Sequence, residues 1–349
     1  MKHVLYFLAV FVSLFLFFAV GASATDGNGE DFVENFYTLI GRGDGFVEKI
    51  GIESLVGELA SVLSGESPRI LSFLGFMLGS VLLLALAALL TRRYTAAGVC
   101  AVVAAGAFGF IFDLVSSATA ALSEMSSLFL SLIPIATGVT LAGGGISSSS
   151  AEALSMGTVF GVVSSVMIPL LMPLCTVMLF LSVISSIGGG SALALSRVRS
   201  VFLWVLGIAT AIMLGAISLQ TVVLSAKDSA AMRMAKYSAS GLIPVIGGTV
   251  SASLSALSSG LSYAKGVIGA GGIYVLLVSA LSPLLLILIY RGVISLSSGF
   301  LSFLGVDDGA KALFGIVCSL DALLSVYGMS VIMYVFELVM FMKSGVAIL

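Results

Sequence analysis

Charge is what this sequence has least of. Only 9% of its 349 residues are Asp, Glu, Lys or Arg, against about a quarter in a soluble domain that must keep a wetted surface. A soluble globular protein is excluded on that ground. Histidine is nearly absent as well. The single copy, His3, falls in a segment read below as removed, so the mature chain has no imidazole for a triad, a proton relay or a zinc site. Cys100, Cys175 and Cys318 are an odd, scattered set in apolar surroundings. They fit neither a disulfide framework nor a clustered metal site, and read as small buried hydrophobes. The triple glycines Gly143 to Gly145 and Gly188 to Gly190 follow no strand and precede no G-K-[ST], so they are loops and not phosphate cradles. No catalytic, cofactor-binding or metal-ligating set remains, and the chain is read as a non-enzyme without a cofactor.

What the chain has in excess is apolar length. Hydrophobic residues make up 59% of it and the mean hydropathy is +1.22. Runs such as Val81 to Leu90 do not alternate as barrel strands would. The fold class is therefore an all-α polytopic membrane protein, in which each crossing needs about 20 apolar residues.

The amino end reads as a processing signal. Lys2 gives a positive n-region, Val4 to Val20 is apolar, and Ala22-Ser23-Ala24 supplies small residues before Thr25, as in a cleavable secretory signal peptide over residues 1–24. Residues 25–69 hold most of the acids, including Asp26, Glu30, Asp31, Glu34 and Asp44. Apolar residues recur there at helical spacing in Phe32, Phe36, Leu39 and Ile40, and again in Ile52, Leu55, Leu59 and Leu63. Two short amphipathic helices outside the membrane are expected, as a solvated spacer or as a docking surface.

Residues 70–349 form the multipass domain. Apolar windows run from Ile70 to Leu90, Ala96 to Val115, Met125 to Ala142, Gly157 to Ser185, Val201 to Ala226, Gly266 to Tyr290 and Ala312 to Met342, so the bundle is expected to have about seven transmembrane helices. Seven spans put Arg92, Arg93, Lys227, Arg233, Lys236, Lys265 and Lys343 on one side, and Arg197, Arg199, Arg291 and Lys311 on the other. If Met125 to Ala142, which carries Pro134 and ends in glycines, is instead re-entrant, every later segment inverts.

Broken or re-entrant segments are expected at two further places. Pro169 and Pro173 stand four apart in a window too long for one straight span, so a kink, or a broken helix at a polar cavity, is expected there. Between the fifth and sixth windows, residues 226–265 are too polar for a span. Arg233, Lys236, Pro244, Gly247 and Gly248 fall in this stretch, followed by serines with Val250, Leu254, Leu257 and Leu261 at helical spacing, as in an amphipathic or re-entrant element. Glycine pairs four apart, Gly75 with Gly79, Gly157 with Gly161, and Gly207 with Gly215 through Ala211, suggest close helix packing. Among the acids in apolar windows, Asp113, Glu124, Glu152, Asp321 and Glu337, the last is hardest to place at a surface. It is expected to face the bundle interior or a subunit contact.

Several stretches together resemble the stage III sporulation protein AE family of endospore-forming bacteria. They are Leu130-Ser131-Leu132-Ile133-Pro134, Ile168-Pro169-Leu170-Leu171, Gly215-Ala216-Ile217-Ser218-Leu219-Gln220, Arg233 to Tyr237 followed by Ile243-Pro244-Val245-Ile246-Gly247, and Lys265-Gly266-Val267-Ile268-Gly269. The resemblance runs from about Thr91 to the carboxyl end. It implies a noncatalytic subunit of the channel complex that joins mother cell and forespore, in the mother-cell membrane around the forespore. The partners it implies are other stage III sporulation membrane proteins and further copies of itself, in contact with membrane lipid and with no nucleic acid. The family has no catalytic residues to carry over. The competing reading is a secondary transporter or permease for a small solute, motivated by the Pro169 to Pro173 break and Glu337.

Overall fold

A computed structural model describes residues 52–90, 93–143, 145–187, 192–242 and 247–344. The signal peptide and residues 25–51 of the acidic stretch lie outside the described residues, as does Pro244. Among the described residues the structure is helical throughout, with turns and no strand. The helices are α1 (Ile52–Gly65), α2 (Ser67–Leu90), α3 (Arg93–Ala142), α4 (Ile146–Val162), a π turn (Val163–Met167), α5 (Ile168–Ile187), α6 (Ala192–Leu242), α7 (Gly247–Phe303) and α8 (Asp307–Lys343).

Six of these helical units are long and apolar enough to cross a membrane, counting α4, the π turn and α5 as one. The expected seven becomes six because the second and third windows are one helix, α3, of 50 residues with Pro134 inside it. The polar link between the windows stays helical, and hydroxyls in it and just after it bond to carbonyls of the same helix. Thr119 donates to the Val115 carbonyl, Ser126 to Leu122 and Ser127 to Glu124. Met125 to Ala142 is thus not re-entrant.

Pro169 and Pro173 do not break their helix either. The π turn stands directly before Pro169, and the Ile168 N–H bonds to the Val163 carbonyl five residues back. The wider turn absorbs the donor that proline lacks, so α4 runs on into α5. Both prolines are exposed. The 226–265 stretch is the carboxyl arm of α6 and the amino arm of α7. Gly143 and Gly145 do form the turn between α3 and α4.

The core is built around α8, whose apolar stretch is 67% buried, against 17% for that of α6. α8 packs on α3, α5, α6 and most extensively on α7. Partners across the α7–α8 pair are Lys265 with Ser344, Gly269 with Met342, Gly272 with Leu338, Ala280 with Tyr327, Arg291 with Asp321, and Ser298 with Ala310. Each pair of numbers sums to within a few of 610, so the helices are antiparallel in one unslipped register. The tightest approach is at the Lys265 end, where a Cβ on Gly269 would stand 2.2 Å from Met342 Cγ and one on Gly272 3.0 Å from Leu338 Cδ1. The glycine pairs expected to pack closely do not. Nothing lies within 4 Å of a Cβ built on Gly75, Gly79, Gly157, Gly161, Gly207 or Gly215.

This register gives the bundle two ends. At the Arg291 end, Phe73 of α2 stacks on Tyr290 at 3.9 Å and meets Phe110 of α3 edge-on, while Leu84 of α2 approaches Gly309. At the Lys265 end, Thr140 of α3 bonds to Glu152 of α4. α3 therefore runs from one end to the other, and the α2–α3 connection lies at the same end as the α7–α8 turn.

Two predictions follow from this packing. Gly269→Leu should lower stability by ~1–3 kcal/mol through overpacking against Met342, while Gly75→Ala should leave it unchanged, both read as thermal unfolding in detergent. In a chain lacking the three native cysteines, single cysteines replacing Arg93 and Arg197 should react from the same membrane face, and one replacing Ser240 from the other. Seven spans would put positions 93 and 197 on opposite faces.

Candidate functional site

Four helices bring polar side chains together inside the Lys265 end. Lys265 of α7 is 5% exposed and Glu152 of α4 is 1% exposed, a depth at which a single unpaired charge would cost several kcal/mol. The pair is closed at 3.0 Å. The lysine's remaining donors reach the Ser344 carbonyl at 2.9 Å and the Ser344 hydroxyl at 3.1 Å, so all three ammonium N–H groups are used. Its charge also lies 5.2 Å from the centre of the Phe341 ring, within cation–π range. On the acid, Oε1 takes Lys265 and the Ser344 hydroxyl, and Oε2 takes the Thr140 hydroxyl. The ion pair is thus saturated by hydrogen bonds, the condition under which a buried pair can be tolerated.

Glu337 sits beside this network on α8, 2% exposed. Ser155 of α4, one turn after Glu152, donates to its Oε1 at 2.5 Å. Its Oε2 is buried with no hydrogen-bond partner among the described residues. The cluster thus counts two carboxylates and one ammonium, held by α3, α4, α7 and α8.

A second cluster lies at the other end. Asp321 of α8 takes Nε of Arg291 from α7, while Nη1 of Arg199 from α6 stands 2.8 Å from its other oxygen. The Arg199 contact lacks hydrogen-bond alignment, so charge alone holds it. Arg199 also reaches the Cys318 sulfur at 3.8 Å. Across α7 from this cluster, Arg69, Ser72, Asp113, Ser117 and Tyr290 line a cavity of about 230 Å³.

Of the residues singled out in the sequence, only Glu337 belongs to either cluster. Pro169 and Pro173 flank α5's first turn on its exposed side. Arg233 is exposed on the α6 arm. The side chain of Lys236 lies outside the described residues, and Gly247 and Gly248 open α7. Glu152 and Asp321 were visible as acids in apolar windows, and Lys265 as the end of a serine-rich run. Their partners come from helices 113 and 30 positions away, which no local pattern encodes. Cys175 and Cys318 are buried, as expected of small hydrophobes.

The arrangement joins helices α3, α4, α7 and α8 at one end and α6, α7 and α8 at the other. Among the described residues, no group of three or more His, Cys, Asp or Glu side chains could hold a metal ion. Glu152→Ala, which strands Lys265 in the interior, should cost ~3–5 kcal/mol. Glu152→Leu with Lys265→Met should recover most of that loss in the same unfolding assay. Glu337→Gln keeps the acceptor for Ser155 and should be neutral or stabilising.

The comparisons with known proteins bear on the helices that carry both clusters. The family model described as stage III sporulation protein AE matches residues 77–345. That range takes in Thr140, Glu152, Arg199, Lys265, Arg291, Asp321, Glu337 and Ser344. No curated protein and no solved structure matches the chain. With more than three quarters of its length inside the match, the chain belongs to the stage III sporulation protein AE family.

Proposed function

We propose that this chain is a noncatalytic, multipass membrane subunit of the sporulation channel complex between mother cell and forespore, placed in the mother-cell membrane around the forespore. The observation that carries the reading is the family match over residues 77–345, which covers nearly all of the helical bundle. Two features of the bundle support a subunit over a free-standing enzyme. Its buried polar groups are spent on joining helices, as in the Lys265–Glu152 network, and its least buried apolar stretch, on α6, leaves a broad surface for lipid or neighbouring subunits. Other stage III sporulation membrane proteins, or further copies of the chain, are its partners.

The secondary-transporter reading rests on Glu337 and the π turn, since intramembrane carboxylates and π turns both gather at functional sites. Of the two, Glu337 carries more weight, because one of its carboxylate oxygens is buried without a hydrogen-bond partner among the described residues.

A tagged copy expressed in a sporulating endospore former and isolated in mild detergent should carry other stage III sporulation membrane proteins or further copies of itself. A monomer with no copurifying partner would overturn the subunit reading. Solute uptake by the purified chain alone in vesicles, abolished by Glu337→Gln, would favour the transporter.

A further inference from the structure

Both ion clusters spend their charges on holding helices together. The polar side chains around the cavity between α2, α3 and α7 do not. Each helix turns one face to it at helical spacing, with Arg69 and Ser72 from α2, Asp113 and Ser117 from α3, and Leu286 and Tyr290 from α7. These residues lie in stretches long and apolar enough to cross a membrane, where an ionisable side chain marks a functional site by default.

Three groups on the cavity wall are left over by the fold. Tyr290 is 4% exposed and its ring is fixed by stacking on Phe73 at 3.9 Å, yet its hydroxyl takes no hydrogen bond among the described residues. A buried phenol normally finds a partner. Asp113 acts electrostatically on Tyr290 but has neither an ion pair nor a hydrogen bond among the described residues. Arg69 gives Nη1 to Glu66 at 3.3 Å. A guanidinium has five N–H donors, so most of those on Arg69 remain, and Glu66 itself does not line the cavity.

The wall thus offers one positive charge, one negative charge and three hydroxyls, beside the apolar surface of Phe110, Leu114 and Leu286. A simple cation would meet Arg69 and a simple anion would meet Asp113, whereas a molecule bearing both charges satisfies both. At about 30 Å³ per water-sized group, the 230 Å³ of the cavity admits a ligand of about eight non-hydrogen atoms. We propose that the cavity binds a small α-amino acid with an apolar side chain. Its ammonium sits on Asp113, and its carboxylate takes N–H groups of Arg69 and the Tyr290 hydroxyl, in charge-assisted hydrogen bonds. Ser117, one turn after Asp113, accepts a second ammonium N–H, and the aliphatic side chain lies against Phe110 and Leu286. The site shares no residue with the Glu337 cluster and does not rest on the transporter reading.

L-valine has this size and both charges. Equilibrium dialysis of the full-length protein in mild detergent against radiolabelled L-valine should give a Kd below about 1 mM. Isobutylamine, which keeps only the ammonium, and isovalerate, which keeps only the carboxylate, should each compete about ten-fold less well, the worth of one charged hydrogen bond. Asp113→Asn and Arg69→Gln should each weaken valine binding by about the same factor. Both side chains are exposed, so neither variant should unfold earlier than the native protein. If Arg69→Gln does, through its lost contact with Glu66, Asp113→Asn decides alone. No binding at millimolar valine would overturn the proposal, and so would an unchanged affinity in Asp113→Asn. Equal competition by isobutylamine would overturn it in favour of a plain cation site. Binding of phosphoethanolamine but not of valine would overturn it in favour of a zwitterionic lipid headgroup.

Discussion

A carboxylate inside an apolar helix bundle must be met by a partner, and α8 carries two, Asp321 and Glu337, along a helix that is mostly buried. Asp321 is met by arginines from two different helices and Glu337 by a serine from a third. With Lys265 reaching from α7 to the end of α8, these contacts fix the order of the neighbours around α8 and the height at which each one stands. A one-residue slip of α7 along α8 would take Lys265 off Ser344 and Arg291 off Asp321 together. Apolar packing alone is forgiving of such slips, because in lipid one leucine serves much as another. The polar contacts are few, but they are specific in a way that the far more numerous apolar ones are not.

Much of the fold was legible in the residues. The charge deficit and the long apolar windows dictate a helical membrane bundle, and α1 follows the spacing of Ile52, Leu55, Leu59 and Leu63. Hydropathy fails where a polar stretch lies inside a helix. Ser116 to Glu124 looks like a loop to any scale that counts polarity, yet it stays within one helix, in which Thr119 bonds to the Val115 carbonyl. That single misjudgement changes the parity of the spans, and with it the side on which every later loop stands. The glycine pairs misled for a related reason. Spacing shows that residues share a face, but not whether another helix lies across from it. Glycines that do admit a neighbour, such as Gly106 against Phe76 and Gly269 and Gly272 against α8, are not among those pairs.

The functional site was less legible. An acid in an apolar window flags itself, and Glu337 did so. Its setting is another matter, since Ser155 stands 182 residues from it in the chain and Lys265 113 residues from Glu152. The arginines of the second cluster look, in the sequence, like ordinary loop charges that set topology. Only the pairing of α7 with α8 shows that two of them share one aspartate.

The π turn has a consequence for how the α4–α5 helix meets its neighbours. Its buried positions Ser155, Val159, Val163, Met167, Leu171 and Cys175 recur every four residues. In a helix of 3.6 residues per turn, each step of four runs ahead by about 40°. Five such steps would carry the buried face more than halfway around the axis, and Cys175 would point away from Ser319 instead of lying 4.0 Å from its carbonyl. The wide turn at Val163–Met167 acts as a phase correction, giving back part of the accumulated rotation midway along. The same extra residue in that turn lets one helix keep Ser155 aimed at Glu337 at one end and Cys175 aimed at α8 at the other.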